Sequence, residues 1–264
     1  MKSFSALILA AGKGTRMQSD LPKVAHEVAG EPMVRWVVRA CAQAGCTRIV
    51  VVVGYQQDVV RRALADVQSE IAPATIEFAV QNEQLGTGHA VIEAGSLFET
   101  ERSEQGHGVL VLAGDGPLIR ADTLAQIRER QESTSAVATM ATSRIDDPTG
   151  YGRIVRDAGG SFVGIVEQKN ATPEQLKINE INPSYYLFDC KAMFDALKRV
   201  ERNPVSGEYY ITDVPALLLE SGERVEVIEA VPPADVLSIN TLEQLAEVDR
   251  IMRARLETAG SEGR

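Results

Sequence analysis

The sequence predicts an α/β fold: a doubly wound, mostly parallel sheet covered on both faces by helices, with a small β-rich lobe in its second half. Two observations carry this. Short β-branched runs alternate with amphipathic helical patterns through the first half, as continuous buried strands separated by crossover helices require. After Pro148 the texture changes, and Gly150, Gly152, Gly159, Gly160 and Gly164 punctuate short strands that read as hairpins.

The predicted strands of the first half are Phe4–Ala10, Ile49–Val53, Ile76–Val80, Val109–Ala113 and Ala136–Thr142. Between them, Val34–Ala44 sets Val34, Val37, Val38 and Cys41 on one helical face, and Leu124, Ile127 and Arg128 fit a second helix. Helical patterns return at Met193–Val200 and Tyr210–Leu219, a strand follows at Val225–Ile228, and Leu242–Leu256 reads as a closing helix. The expectation is one domain over 1–257, divided into a lobe at 1–147, a lobe at 148–240 and a closing helix at 241–257, with a frayed polar tail at 258–264. With 264 residues and 44% apolar content, a sizeable core is available.

The net charge of −10 disfavours a broad basic face for nucleic acid or anionic lipid, so any phosphate-binding capacity must be local. The apolar stretch Ala6 to Ala11 is shorter than a secretory core of about 7–15 residues. No run approaches the ~20 residues of a membrane helix. Cys41, Cys46 and Cys190 form no C-x-x-C pair and read as ordinary thiols of a reducing, cytoplasmic compartment. His26, His89 and His107 lack metal-ligand spacing and read as incidental.

The segment from Leu7 to Met17 puts a glycine-rich turn, Gly12-Lys13-Gly14, directly after a buried strand, where backbone N–H groups can meet an anion. The turn fails the P-loop spacing, and Met17 stands where G-x-G-x-x-G needs its third glycine. The second strand ends at Gly54-Tyr55 without the acid that holds an NAD ribose, which demotes a dinucleotide oxidoreductase. Pro22-Lys23 adds a cation beside the loop; alone, such a lysine reads more readily as a solvated surface charge.

The string LILAAGKGTRMQSDLPK resembles the motif L-x-x-G-x-G-T-R-M-x-x-x-x-P-K of sugar-nucleotide pyrophosphorylases. VQNEQLGTGHA, LAGDGPLI, GYGRIV, GIVEQKNAT, EIN, GEYYITD and SINTLEQL then follow in the order seen in the uridyltransferase domain of the bifunctional bacterial enzyme that makes UDP-N-acetylglucosamine. The resemblance covers residues 5 to about 256. It implies a Rossmann-like, GT-A type nucleotidyltransferase whose first lobe binds nucleotide and whose second lobe mainly binds sugar. The hexapeptide repeats of that family's acetyltransferase are absent from these residues, so neither acetyl transfer nor the β-helix trimer is expected.

The resemblance further implies that Leu9, Ala10, Ala11 and Gly12 wrap the nucleotide, that Arg16 and Lys23 face its phosphates, and that Gln81, Gly86 and Thr87 hold the uracil. Ala113 and Gly114 line the substrate, and Asp115 and Asn240 are the Mg²⁺ ligands. In isolation Gly114-Asp115-Gly116-Pro117 reads as a turn and Asn240 as a helix N-cap. Gly152, Glu167, Asn182 and Thr212 match the sugar-side positions, although Glu167 alone reads as a surface carboxylate. Two departures fall in the sugar pocket: Asn182-Pro183-Ser184 stands where the family has Asn-Thr-Gly, and Ala113 where a bulkier residue is usual. The implied substrates are UTP and N-acetylglucosamine-1-phosphate, with no nucleic acid or membrane partner. A sister nucleotidyltransferase with another base or sugar, and a non-catalytic nucleotide-sugar sensor, are the competing readings. Against the sensor stands the joint presence of Arg16, Lys23, Asp115 and Asn240.

Overall fold

The β-branched runs of the first half become the centre of one nine-stranded sheet. The computed structural model describes residues 4–14, 17, 19–237 and 239–262. In chain order these form β1 (Phe4–Ala10), β2 (Glu27–Val28), β3 (Glu31–Pro32), α1 (Met33–Gln43), β4 (Arg48–Val53), α2 (Gln57–Ala63), α3 (Val67–Glu70), β5 (Thr75–Val80), α4 (Thr87–Glu93), α5 (Glu99–Ser103) and β6 (Gly108–Ala113). There follow α6 (Ala121–Thr134), β7 (Ala138–Arg144), β8 (Gly152–Arg156), β9 (Phe162–Val166), β10 (Glu180–Asp189), α7 (Cys190–Leu197), α8 (Val214–Glu220), β11 (Val225–Glu229) and α9 (Leu242–Glu262).

The main sheet runs β11-β7-β10-β6-β1-β4-β5, with every pairing parallel except those of β10 to its two neighbours. Side chains alternate between faces as a pleated strand dictates. Ala6, Ile8, Ile49, Val51, Leu110 and Leu112 pack under α1, α2 and α6, whereas Leu7, Val50, Val52, Val109 and Val111 pack under α4, α7 and α8. Both faces are therefore covered, as the runs of apolar residues predict. A third, smaller core lies at the carboxyl edge of the strands. Met17, Val28, Leu118 and Ile239 meet Val248 and Met252 of α9 there, and burying each large apolar side chain contributes about 1.5–3 kcal/mol.

Two boundaries differ from expectation. Of the 148–240 segment, the β8–β9 hairpin projects from the main sheet, but β10 and β11 return to it. The reason is the continuous apolar run Tyr185–Phe188, which buries Tyr185 and Leu187 on one face and Tyr186 and Phe188 on the other. The expected polar tail continues instead as helix to Glu262, with the Thr258 hydroxyl donating to the Ala254 carbonyl at 3.0 Å and that of Ser261 to the Thr258 carbonyl at 2.6 Å. No helix among the described residues is long and apolar enough to cross a membrane.

Candidate active site

The chain leaves β1 for β4 and β5 on one side and returns to β6 on the other, so the carboxyl ends of β1 and β6 flank a topological switch point, where open α/β sheets bind ligands. Leu9 and Ala113 are register partners at this edge, and the Gly114 N–H donates to the Leu9 carbonyl at 2.9 Å. Next door, the Ala11 carbonyl accepts from the Tyr55 N–H at 3.1 Å. These bonds occupy loop carbonyls and none of the donors: among the described residues, the N–H groups of Gly12, Lys13 and Gly14 have no partner. Neither a left-handed φ nor a neighbour within 4 Å demands glycine at Gly12, so the space a side chain would fill is open for a ligand. Gly14 differs: its φ is +70°, and a Cβ would lie 2.6 Å from Lys23 Cβ, so glycine lets the loop close onto that lysine. Arg16 lies outside the described residues.

Lys23 sits in a 3₁₀ turn (Lys23–Ala25) entered through Pro22, whose ring holds φ at −54°. Its ammonium ion-pairs with the Asp115 carboxylate and donates to Asn240 Oδ1 at 2.9 Å, across 217 residues of chain. Three residues singled out from separate motifs thus meet at one point, and two oxygen donors converge on a single cation. A carboxylate and an amide oxygen suit a hard divalent ion.

Each arm of this junction is anchored in the small core beneath it. Leu118 follows Asp115, Ile239 precedes Asn240, and both side chains are fully buried. An ion-pair cluster that sequence reasoning missed adds to the anchoring. Asp235, with its side chain 2% exposed, takes both Arg120 and Arg255 on its carboxylate, and Arg255 also donates to the Leu118 carbonyl at 2.8 Å. The cluster therefore ties the Asp115 loop, the Asn240 loop and α9 together.

On the far side of β1, Gln81 follows β5 and lines a cleft of about 310 Å³ with Lys13, Tyr55 and Asn82. The Lys13 ammonium lies 5.1 Å from the Tyr55 ring centre. Gly86, with φ +101°, leaves no room for a Cβ, which would fall 2.5 Å from the Tyr209 carbonyl. That approach lets the 85–88 loop clasp the 209–211 segment. Tyr209 N–H donates to Leu85 O at 2.8 Å, Gly88 N–H to Tyr209 O at 2.8 Å, and Ile211 N–H to the Thr87 hydroxyl at 3.1 Å. Thr87 is thus a clamp, with hydroxyl capacity left over.

The residues expected on the sugar side also converge. Thr212 donates to Glu167 Oε1 at 3.1 Å, and a Cβ built on Gly152 would lie 3.6 Å from that same oxygen and 3.7 Å from Asn182 Cβ. Burial raises the Glu167 carboxyl above its ordinary range, with Asp213 and Glu208 adding to the shift against the opposing Thr212 hydrogen bond. Asn182 Nδ2 donates to the Tyr186 hydroxyl at 2.5 Å and Oδ1 accepts from the Ser184 N–H at 3.1 Å. Both bonds brace a bulge in which Ile181 faces Ser143 and Tyr185 faces Ala141 across β7. Ser184 takes φ +67° there, a left-handed conformation that favours glycine. Glu180, at the start of β10, holds the base of the hairpin: Thr142, Arg144 and Arg156 all donate to its buried carboxylate. Its position in EIN was the available sequence signal.

Residues 5–232 match the nucleotidyl transferase family. The bifunctional protein GlmU of Geobacter metallireducens is 43% identical over 97% of this chain and 52% of its own length, and that of Streptococcus mutans 44% over 96% and 53%. The chain spans about half the length of the curated relatives it matches. Among solved structures, UDP-glucose pyrophosphorylase complexed with UDP-glucose superposes with a TM-score of 0.76 at 17% identity, covering 97% of this chain and 100% of the other. The apo form of UDP-glucose pyrophosphorylase gives 0.75 at 17%, covering 97% and 99%. At this identity the likeness concerns the fold.

Proposed function

Because the chain belongs to the nucleotidyl transferase family, we propose that it transfers the uridylyl group of UTP to N-acetylglucosamine-1-phosphate, giving UDP-N-acetylglucosamine and pyrophosphate. The observation that carries this reading is the junction of Lys23, Asp115 and Asn240 beside a loop with unpartnered N–H donors.

A phosphate oxygen of the sugar phosphate attacks the α-phosphorus of UTP as the bond to the β-phosphate oxygen breaks and pyrophosphate leaves. The nucleophile is already an anion at neutral pH, so positioning and charge neutralisation supply most of the rate. The N–H groups of Gly12 to Gly14 and the Lys23 ammonium, with Arg16 in the same role, stabilise charge that gathers on the leaving pyrophosphate. The family generally uses a divalent metal, and the oxygen donors suit Mg²⁺, which would be held by Asp115 and Asn240. Such an ion, when bound, neutralises phosphate charge and orients both substrates. Gln81, Gly86 and Thr87 face the base; Leu9, Ala10, Ala11, Ala113 and Gly114 line the nucleotide; Gly152, Glu167, Asn182 and Thr212 face the sugar. A cytoplasmic setting belongs to the same proposal, supported by Cys41, Cys46 and Cys190, which are buried free thiols.

Pyrophosphate release measured across the four ribonucleoside triphosphates, each with N-acetylglucosamine-1-phosphate and glucose-1-phosphate, tests the reading. The first sugar phosphate with UTP should give the highest kcat/KM. A preference for another pair would keep the reaction class and overturn the substrate assignment; release from none would overturn both.

A further inference from the structure

Gln81 is 4% exposed, and its backbone N–H is fixed to the Val53 carbonyl at 2.8 Å. Its side-chain nitrogen lies 3.1 Å from the Gly86 carbonyl and 3.0 Å from His89 Nδ1. A carbonyl oxygen only accepts, so the Gly86 contact requires the NH₂ end of the amide on that side. With one hydrogen on Gly86 O, the second points at His89, whose Nδ1 must then be the unprotonated nitrogen. The rest of the histidine's surroundings hold the ring in place. Its Nε2 faces Glu93 Oε1 at 3.4 Å, one turn along α4, and its plane lies against Tyr209 with ring centres 6.4 Å apart.

Both amide hydrogens are thus committed to protein acceptors. What Gln81 keeps for the cleft is Oε1, which accepts no hydrogen bond among the described residues. A carbonyl oxygen aimed at a pyrimidine edge pairs with N3–H of uracil and repels the N3 lone pair of cytosine. We infer that His89 is a specificity-determining positioning residue that fixes the Gln81 amide with its oxygen toward the base, so that the site accepts a uracil nucleotide and rejects a cytosine nucleotide. His89 thereby has a role where its spacing alone reads as incidental, and that role rests on the proposal that Gln81 faces the base.

Losing the Nδ1 acceptor leaves one of the two bonds that hold the amide orientation, and a net hydrogen bond corresponds to a factor of about 3 to 10. The test compares kcat/KM for UTP and CTP at saturating sugar phosphate in the parent chain and in four variants. His89→Phe keeps a ring against Tyr209 without the acceptor, and His89→Ala removes both; in either, the UTP:CTP ratio should fall about 3- to 10-fold. His89→Asn returns an acceptor near the Nδ1 position without restoring the stack, and should bring the ratio back to within about twofold of the parent. Gln81→Leu removes the reader itself and should abolish most of the discrimination. Thermal unfolding identifies variants that do not fold; the Phe and Ala substitutions perturb packing differently, so one can stand in for the other. If Gln81→Leu leaves the ratio unchanged, the assignment of Gln81 to the base is wrong. If Gln81→Leu collapses the ratio but the His89 variants lower both nucleotides' rates equally, His89 is a packing residue and the inference is overturned. A ratio that falls in His89→Phe and is not restored in His89→Asn would overturn it as well, by attributing the effect to the ring.

Discussion

Replacing Ser184 by glycine and, separately, by alanine puts the bulge of β10 to a stability test whose sign is unusual. In an ordinary strand interior alanine is more stable than glycine by roughly 0.5–1 kcal/mol, because glycine loses more conformational freedom on folding. Ser184 instead holds φ at +67°, where a Cβ costs roughly 1–2 kcal/mol. Both variants lose the serine hydroxyl, which contacts the Tyr186 hydroxyl, so the comparison between them isolates the Cβ. Offsetting the steric gain by the entropic cost leaves the glycine variant ahead of the alanine variant by about 0.5–1 kcal/mol. For a chain of this size, that is a difference in Tm of about 1–4 °C. Urea denaturation and thermal scans at one pH measure it. Alanine equal to or above glycine would show that Ser184 is not strained, and the account of the bulge would fail. The bulge also carries Asn182 through the Ser184 N–H, so sugar choice should respond. In a Pro183→Thr, Ser184→Gly double variant, the kcat/KM ratio for N-acetylglucosamine-1-phosphate over glucose-1-phosphate should rise; an unchanged ratio would separate the strain from selectivity.

Three further outcomes follow from the same geometry. Asp115→Asn should lower kcat about 100-fold or more and raise the Mg²⁺ concentration for half-maximal rate, as losing a charged donor at a reacting phosphate does; parent activity that survives excess chelator would sink the metal assignment. Glu167→Gln should stabilise the fold at pH 8 and do so less as pH falls. The folded carboxyl titrates above its unfolded value, so ionisation penalises the parent only as pH rises from the unfolded value through the folded one. Urea midpoints at pH 5 and pH 8 check this, a larger gain at pH 5 contradicts it, and KM for the sugar phosphate should rise in parallel. Asp235→Asn should cost about 1–3 kcal/mol, less than for a fully buried pair because Arg120 is 46% exposed, and should weaken Mn²⁺ binding measured by electron paramagnetic resonance. Unaltered Mn²⁺ affinity at lowered stability would confine Asp235 to a structural role.

The strands at the centre of the sheet were legible because runs such as Ile49–Val53 are buried on both faces and carry their own pattern. The glycine-rich turn was legible because Gly12-Lys13-Gly14 directly follows a buried strand; that Gly14 lets it close onto Lys23 was not. The ends of α9 and the fate of the 148–240 segment were not, since helix termini and sheet insertion depend on partners distant in the chain. Nothing local in Tyr185–Phe188 says that β10 enters between β6 and β7 against the direction of its neighbours. His89 and Asp235 escaped for the same reason. A histidine can act as an acceptor for the Gln81 amide only when α4 is brought to within 3.0 Å of it, and a carboxylate becomes a tie only when two arginines arrive from other elements. The sequence by itself determined the central strands, the helices α1, α6 and α9, the glycine-rich turn and the residue types of the candidate site, because those follow from local propensity and spacing; β10 and the short helices α2 to α5 carried no such pattern and were not predicted. Only the tertiary structure decided that Lys23, Asp115 and Asn240 share one point, because a contact spanning 217 residues is set by sheet order and by the packing of α9 beneath it.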